Sequence, residues 1–395
     1  MKQSLTGLCK KVDLVDEINK RKSSGLYRVR KIVDFSKGSI ATIENEQYIN
    51  FSSNDYLGLA DNIVLKETMI GAVEEYGVGG KSSQLVTGYL KPHRILEEGL
   101  AKFLKRDAAL VFSSGYLANL AIASVLINKT TIILQDKLNH ASLIDAAQLS
   151  VGSLVRYRHG DTNHLKILME KYKKYNLVVM TDAVFSMDGD FAPIVEIAKL
   201  CKEYNAVLIV DDAHGIGVLG ETGAGLLELK KLDQSQVPLL IGTFGKSFGG
   251  SGAFISGNSL FIDAFIQKAR TYIYTTAISS SLAVTMTKAI ELVINATEER
   301  ECLYRLTEFY KKSMRKVNLN SNQSMSHIQP YMVGNANKAT RLSESLYRDK
   351  LLVIAIRPPT VSKNTSRLRI SFTAIHDKDQ VARLVNCIKN NLDDE

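Results

Sequence analysis

The fold of this protein is decided by the stretch Leu239-Leu-Ile-Gly-Thr-Phe-Gly-Lys-Ser-Phe-Gly-Gly-Ser-Gly-Ala-Phe-Ile255. Its apolar ends predict two buried strands, and between them a single lysine, Lys246, lies among glycines. A lysine is costly to bury without a partner, and closely spaced glycines let a backbone approach another group. That group is a phosphate, an aldehyde cofactor or another strand. The residues in the rest of the chain decide among these three possibilities.

Outside this stretch, short apolar segments alternate with helical patterns. Strands that alternate with helices form mostly parallel sheets covered on both faces. The sequence therefore predicts an α/β fold with a large, mostly parallel, seven-stranded sheet. The candidate strands are Ala109–Phe112, Ile132–Gln135, Leu154–Tyr157, Leu177–Asp182, Val207–Asp211, Leu239–Thr243 and Gly252–Ser256.

The pattern divides the chain into three regions. Residues 1–45 predict a charged helix, with apolar residues at helical spacing from Leu8 to Ile18, followed by an extended arm. Residues 46–280 contain the seven strands and predict the large domain. Residues 281–395 predict a smaller C-terminal α/β domain that begins with one long amphipathic helix at about Ser281–Val317.

Composition excludes several classes of protein. The 395 residues carry a net charge of +9, but the basic residues are scattered, so they indicate solvated faces and no nucleic-acid surface. The four cysteines lie far apart without a C-x-x-C pair, which argues against a zinc site or a disulfide framework and fits a reducing cytoplasm. The N-terminus lacks the apolar core of a signal peptide.

One uncharged segment, Ala108–Asn128, is long enough to resemble a membrane span. It has Ser113, Ser114 and Asn119 in its middle, which favours a strand, a loop and a buried helix. We therefore expect no membrane association.

Polar clusters follow several predicted strands. They are Phe112–Tyr116, Thr181–Gly189, Val210–Gly215 and the Lys246 loop. In an open α/β sheet, ligands bind beyond the carboxyl ends of the strands, so these clusters are expected to meet in one crevice.

Two nucleotide motifs compete for the same residues. Gly245-Lys-Ser247 resembles the end of a P-loop, but the required glycine five residues before Gly245 is Leu240, so this motif is rejected. The run Gly215–Gly220 matches G-x-G-x-x-G, but Glu221–Gly225 follows it instead of an apolar helix. A dinucleotide site remains a weak alternative.

Taken singly, each cluster also has a structural explanation. Ser113–Tyr116 would serve as a turn, and Asp211 and Asp212 as helix caps. His140 and His214 are each more often structural than catalytic. Asp211, however, ends the apolar run from Ala206 to Val210, and a buried carboxylate needs a cationic partner.

One cofactor, pyridoxal 5'-phosphate (PLP), uses these groups together. Asp211 would pair with its ring nitrogen, and Lys246 would bind its aldehyde. Ser114, Gly115 and Thr243 suit its phosphate, and a flat ring would account for His140.

With these residues in these positions, the chain resembles the α-oxoamine synthases, a subgroup of fold-type I PLP-dependent transferases. The resemblance covers nearly the whole chain and implies a homodimer with active sites at the interface. Five motifs carry it, in family order: Asn54–Gly58, Asn139–Ser142, Val184–Gly189, Asp211–Gly215 and Thr243–Lys246.

The resemblance assigns a role to each matching residue. Lys246, His140 and Asp211 are implied as catalytic, and His214 and Ser186 as neighbours of the ring oxygen. Cofactor or phosphate contacts are implied for Ser114, Gly115, Tyr116, Thr243 and, across the dimer, Thr275. Substrate contacts are implied for Arg28, Asn54, Thr360 and for Arg369, whose guanidinium suits a carboxylate.

Within the family, Ile356–Val361 and Ser366–Arg369 favour members that condense L-alanine with a pimeloyl thioester, bound to CoA or an acyl-carrier protein, in biotin biosynthesis. Glycine-using members of the 2-amino-3-ketobutyrate CoA ligase or 5-aminolevulinate synthase type are the alternative. A non-catalytic partner subunit would lack Lys246. Lys81, Ser82 and Gln84 depart from the family pattern in the glycine-rich loop.

Overall fold

The computed structural model describes residues 14–320 and 324–393. Its centre is the predicted seven-stranded sheet, in the order β4-β10-β9-β8-β7-β5-β6. Strand β10 runs antiparallel to β4 and β9, and the other neighbours pair in parallel. The strands are β4 Ala108–Phe112, β5 Thr131–Asp136, β6 Ser153–Tyr157, β7 Asn176–Asp182, β8 Val207–Asp211, β9 Leu239–Thr243 and β10 Ala253–Gly257.

Helices cover both faces of this sheet. Successive strand residues point to opposite faces, so in β8 Leu208 and Val210 join one apolar cluster and Ile209 joins the other. The sheet is therefore buried on both sides, as the continuous apolar strands predicted. The helices up to β10 are α1 Leu14–Ser23, α2 Ile63–Tyr76, α3 Lys91–Leu104, α4 Gly115–Val125, α5 Ala141–Leu149, α6 Thr162–Tyr172, α7 Ile194–Glu203 and α8 Leu226–Leu229.

Strands from both ends of the chain form a second layer, which we call the C-terminal layer. In it, β11, β14 and β13 make an antiparallel sheet, and β12 pairs in parallel with β3 in the sheet β1-β2-β3-β12. The strands are β1 Phe35–Lys37, β2 Ile40–Ile43, β3 Glu46–Asn50, β11 Ile328–Gly334, β12 Leu351–Leu352, β13 Ile354–Ile356 and β14 Ser366–Ser371. The remaining helices are α9 Ser259–Lys268, α10 Arg270–Ile273, α11 Ser280–Asn295, α12 Thr297–Lys316, α13 Ala336–Arg348 and α14 Lys378–Asp393. Of these, α9 and α10 join an apolar cluster of the central sheet and α11 packs on α2 and α3, whereas α12, α13 and α14 belong to the C-terminal layer.

The prediction of one long helix at Ser281–Val317 is wrong, because α11 and α12 are separate helices that meet at Ala296. Arg300 stabilises the break, since its guanidinium donates to the carbonyls of Val293 at 2.7 Å and Ile294 at 3.2 Å. Such carbonyls lack partners at a helix end, and a cation there is favourable. The amphipathic pattern continues across the break, so periodicity alone did not reveal it.

At the N-terminus, α1 begins at Leu14, and the predicted helical spacing from Leu8 lies partly outside the described residues. The uncharged segment Ala108–Asn128 forms β4 and α4, as predicted. Within residues 14–320 and 324–393, no helix has the length and apolarity needed to cross a bilayer.

Candidate active site

The carboxyl ends of β4, β7, β8 and β9 lie at one edge of the central sheet, and Lys246 lies in the loop that follows β9. Its Nζ is 2.7 Å from Nε2 of His214, which follows β8. Lys246 is half-buried, because it lines a cavity of about 290 Å³ together with His140, Ser186 and Arg369. With His214 and Asn54, the structure thus brings six predicted site residues around one space.

Asp211 is buried at the end of β8, as predicted, with 7% of its surface exposed. Its Oδ2 accepts from the Asn119 amide at 2.7 Å, and its Oδ1 accepts from the backbone N–H of Ala213 at 3.0 Å. No lysine, arginine or histidine nitrogen among the described residues lies within 4.0 Å of it. A buried carboxylate held only by neutral donors is suited to a cationic ligand group, such as a protonated ring nitrogen.

The proposed phosphate groups lie at the start of α4. Ser114 is its N-cap residue, and its hydroxyl accepts from the Leu117 N–H at 3.3 Å. A methyl group on Gly115 would lie 4.0 Å from the Thr243 Cβ, so α4 begins beside the end of β9. Helix N-termini bind anions through free N–H groups and the helix dipole. Tyr116 is half-exposed, and its hydroxyl donates to Asp145.

His140 and Ser186 lie on two turns next to this edge. The His140 ring is exposed to the cavity, and its Nδ1 is 2.7 Å from the Ser142 hydroxyl. Its backbone N–H donates to Asp182 Oδ2 at 2.6 Å. An imidazole fixed in this way presents a ring face on which a flat cofactor can stack.

Arg369, on β14, closes the cavity from the C-terminal sheet. Its Nε donates to the Ser186 carbonyl at 2.7 Å, and its Nη1 donates to the Ser371 hydroxyl at 2.8 Å. Its Nη2 makes only a 3.4 Å contact with the Tyr56 hydroxyl. One end of the guanidinium therefore retains the capacity to bind a carboxylate.

Tyr56 is a site residue that the sequence did not single out. It is fully buried, and its hydroxyl is 2.7 Å from His214 Nδ1 and 3.0 Å from Asn54 Oδ1. It lies inside the motif Asn54–Gly58, but the sequence contains no pattern that predicts a hydrogen bond from this tyrosine to His214. Asn119, which holds Asp211, was missed for a similar reason, since it occurs 92 positions away in the chain.

Burial sets the charge states around Lys246. Burial lowers the pKa of Lys246 to about 8, with the nearby Arg369 adding to the effect and Asp211 opposing it. The pKa of His214 is well below its ordinary value, because of burial and then of Lys246. The pKa of Asp182 is well above its usual range, through burial and the neighbouring Asp211. A lysine that loses its proton near pH 8 can act as a nucleophile and as a base.

Arg28 and Thr360 line a separate groove of about 800 Å³. Arg28 Nη2 donates to the Thr360 hydroxyl at 3.4 Å. The groove shares Ile354 and Ile356 with the Lys246 cavity, so the two spaces adjoin. Asn54 lines the cavity rather than the groove.

Thr275 follows α10 and is half-buried. Among the described residues it has no hydrogen bond to the groups around Lys246. Its predicted contact is to the other subunit of a dimer, and that contact stays a prediction.

The alternative dinucleotide motif is wrong, since Gly215–Gly220 forms turns and the next helix, α8, begins only at Leu226. Gly217 has φ 91°, and a Cβ there would lie 2.3 Å from the Ser247 Cβ. This glycine therefore allows close packing against the Lys246 loop.

The residues that depart from the family pattern in the glycine-rich loop fit the backbone and the hydrogen bonds around them. Lys81 has φ 60°, a conformation that glycine adopts most readily. Gln84 is buried, and its amide donates to the Val111 carbonyl at 3.0 Å and accepts from the Tyr272 hydroxyl at 2.8 Å.

A family model for aminotransferase class I and II matches residues 46–388. The chain belongs to this family. Among its relatives, the 8-amino-7-oxononanoate synthase of Hahella chejuensis is 43% identical over 375 residues, which cover 95% of each chain. The 8-amino-7-oxononanoate synthase of Thioalkalivibrio sulfidiphilus is 43% identical over 96% of this chain and 97% of its own. These relatives confirm the resemblance inferred from the motifs.

Solved structures of this family confirm the fold. The serine palmitoyltransferase of Sphingomonas wittichii superposes with a TM-score of 0.91 at 27% identity, over 97% of each chain. A serine palmitoyltransferase from S. paucimobilis, solved with PLP in a myriocin complex, has a TM-score of 0.91 at 28% identity over 97% of this chain and 98% of its own. The 8-amino-7-oxononanoate synthase of Francisella tularensis has a TM-score of 0.77 at 31% identity, over 88% of this chain and 98% of its own.

Proposed function

We propose that this protein is a PLP-dependent acyltransferase that condenses L-alanine with a pimeloyl thioester. The products are 8-amino-7-oxononanoate, CO2 and the free thiol carrier, and the reaction belongs to biotin biosynthesis. The observation that carries the proposal is the cavity in which Lys246 meets His214, His140 and Arg369, in a chain 43% identical to named 8-amino-7-oxononanoate synthases.

The residues of the site fit PLP. When bound, PLP supplies a reactive aldehyde and a ring that withdraws electrons from the substrate. Asp211 would hold the ring nitrogen, His140 the ring face, and His214 and Ser186 the ring oxygen. Ser114, Gly115, Tyr116 and Thr243 would hold the phosphate at the N-terminus of α4, where anions are favoured.

The chain's own groups would then bind and deprotonate the amino acid. Arg369 would bind the alanine carboxylate through the end of its guanidinium that faces the cavity. Lys246, with a pKa of about 8, would remove the Cα proton in its neutral form and later return a proton to the product. Asn54 and Tyr56 would keep His214 in place beside Lys246.

The acyl donor would enter through the groove that contains Arg28 and Thr360. This groove adjoins the cavity at Ile354 and Ile356, which places it where the acyl chain of the donor would approach the reacting carbon. The donor is pimeloyl-CoA or a pimeloyl carrier protein.

We further propose a cytoplasmic homodimer in which Thr275 contacts the phosphate bound by the partner subunit. Within each subunit, residues 46–280 would form the cofactor-binding domain and residues 281–395 the smaller domain, with residues 1–45 as an arm.

Turnover with defined substrates tests this function. We expect the purified chain to be yellow with bound PLP, and to release CO2 from L-alanine with pimeloyl-CoA or a pimeloyl carrier protein. Lys246→Ala is expected to lose at least about a thousandfold in kcat, since both the covalent bond and the base are removed. A clear preference for glycine with acetyl-CoA would assign the chain to a different reaction of the family, and full activity of Lys246→Ala would refute the site.

A further inference from the structure

His159, in the turn between β6 and α6, lies between two carboxylates that have no role in the proposed reaction. Its Nδ1 is 2.8 Å from Asp136 Oδ1, and its Nε2 is 2.8 Å from Asp190 Oδ2. Carboxylate oxygens only accept hydrogen bonds, so both ring nitrogens must donate, which requires the imidazolium. Burial opposes this charge, but the hydrogen bonds to Asp136 and Asp190 outweigh it and raise the pKa of His159 to about 10.

Each carboxylate belongs to a turn that carries a proposed PLP contact. Asp136 ends β5, and His140 follows it four residues later. Asp136 is buried and shapes this turn, because its Oδ1 accepts from the Leu138 N–H at 2.8 Å. Asp190 lies four residues after Ser186, in the segment Val184–Phe191, which we call the Ser186 turn.

The C-terminal layer holds the Ser186 turn from its other side. Arg367 pairs with Asp188, and Arg369 donates to the Ser186 carbonyl at 2.7 Å. The Ser324 hydroxyl donates to the Gly189 carbonyl at 2.9 Å. At its start the turn is tied to the central sheet, because it continues from β7 and the Ala183 N–H donates to the Asp211 carbonyl at 2.8 Å. The cofactor contact of Ser186 also requires the far end of the turn to stay in register with that sheet.

His159 adds a side-chain link from the far end of this turn, at Asp190, to the edge of the central sheet, at Asp136. In addition to its ion pairs, its ring packs edge-on against Phe185 of the same turn, with centroids 4.5 Å apart. Among the described residues, no group of three or more histidine, cysteine or acidic side chains is arranged to hold a metal ion, so a metal does not explain this cluster.

We propose that His159 is a positioning residue that clamps the Ser186 turn to the turn from Asp136 to His140, and thereby fixes the distance between two proposed PLP contacts, His140 at the ring face and Ser186 at the ring oxygen. This inference rests on the proposed PLP function. His159 acts through Asp136 and Asp190 and does not itself touch the cofactor.

The test compares PLP binding in His159→Gln, Asp190→Ala and the double variant, each as the full chain. We expect each single variant to bind PLP about tenfold more weakly, with a reduced visible circular dichroism per bound PLP, as is typical when an outer contact of a bound group is lost. The double variant should lie within about twofold of the weaker single variant, because both changes break the same link.

Glu203→Gln is the matched control, since it removes an exposed 3.6 Å ion pair with Lys166 on the adjacent helices. It should leave PLP affinity and dichroism unchanged. If His159→Gln fails to fold, Asp190→Ala alone decides, because it leaves the half-buried pair of His159 and Asp136 intact.

A lower melting temperature with unchanged PLP affinity and dichroism would show a merely structural role and overturn the inference. Additive losses in the double variant would overturn it as well. Failure of the unmodified chain to bind PLP would instead refute the proposed function on which the inference rests.

Discussion

At the scale of single residues, the Tyr56 hydroxyl connects the predicted site residues to one another. A guanidinium has no acceptor, so Arg369 Nη2 can only donate to the Tyr56 hydroxyl. The single hydrogen of that hydroxyl therefore goes to Asn54 Oδ1 or to His214 Nδ1. That choice fixes which nitrogen of His214 carries a proton, and therefore whether Nε2 donates to or accepts from Lys246. Tyr56, which has no direct role in proton transfer, thus sets which ring nitrogen of His214 is protonated, and His214 faces Lys246.

Tyr56→Phe is expected to lower kcat about 10- to 100-fold while PLP remains bound, because it removes the hydroxyl and preserves the ring packing. Steady-state kinetics and the pH dependence of the PLP absorbance measure this effect. Tyr310→Phe is the control, since the Tyr310 hydroxyl is buried without a hydrogen-bond partner among the described residues. Equal behaviour of the two variants would exclude a role for the Tyr56 hydroxyl.

The pKa of Lys246 gives a second prediction at this scale. Only the neutral amine attacks an aldehyde, and burial lowers the pKa of this amine to about 8. The rate at which PLP-free protein takes up PLP should therefore rise about tenfold per pH unit below pH 8 and level off above it. Stopped-flow absorbance from pH 6 to 10 measures this rate. A rate that keeps rising through pH 10 would contradict the lowered pKa.

At the scale of secondary-structure elements, the sequence predicted the features that depend on the apolar pattern and on the polar residues at strand ends. All seven central strands, and the meeting of His214 with Lys246, followed from buried runs that end in polar residues, whereas His140 was expected only as the partner of a flat cofactor ring. The break at Ala296 could not be predicted, because it depends on Arg300 binding carbonyls of the preceding helix. Asn119 and Tyr56 were missed because their roles exist only through contacts between distant segments.

The Ser186 turn offers a test of how closely these elements must pack. Gly189 has φ 70°, and a Cβ there would lie 2.2 Å from the Ile328 carbonyl oxygen of β11. Gly189→Ala should therefore cost about 1–3 kcal/mol for the backbone strain and more for the collision. Gly160→Ala is the control, since Gly160 has φ 64° but no atom within 4 Å of the added methyl group. Urea unfolding measures the free energy of unfolding of both variants. If Gly160→Ala loses as much stability as Gly189→Ala, the close contact with β11 is refuted.

At the scale of the whole molecule, three of the most exposed apolar residues lie on two neighbouring segments. Val78, Val86 and Tyr274 are each more than 70% exposed. Their segments are joined, because the Ala277 N–H donates to the Ser82 carbonyl at 3.0 Å and Ser83 bridges to Thr276. Exposed apolar side chains on joined segments favour an interaction site, and their position beside Thr275 supports the proposed dimer.

Val86→Asp tests this surface, because a charge there would have to be desolvated in the dimer without a partner. We expect a shift from dimer to monomer in size-exclusion chromatography with light scattering, together with weaker PLP binding, since Thr275 would no longer reach the partner's phosphate site. Leu260→Asp is the control, because Leu260 is 77% exposed on α9 and outside the joined segments. If Val86→Asp stays dimeric and binds PLP normally, the interface lies elsewhere on the chain. Loss of the dimer without any loss of PLP affinity would instead show that each subunit completes its own phosphate site, against the role proposed for Thr275.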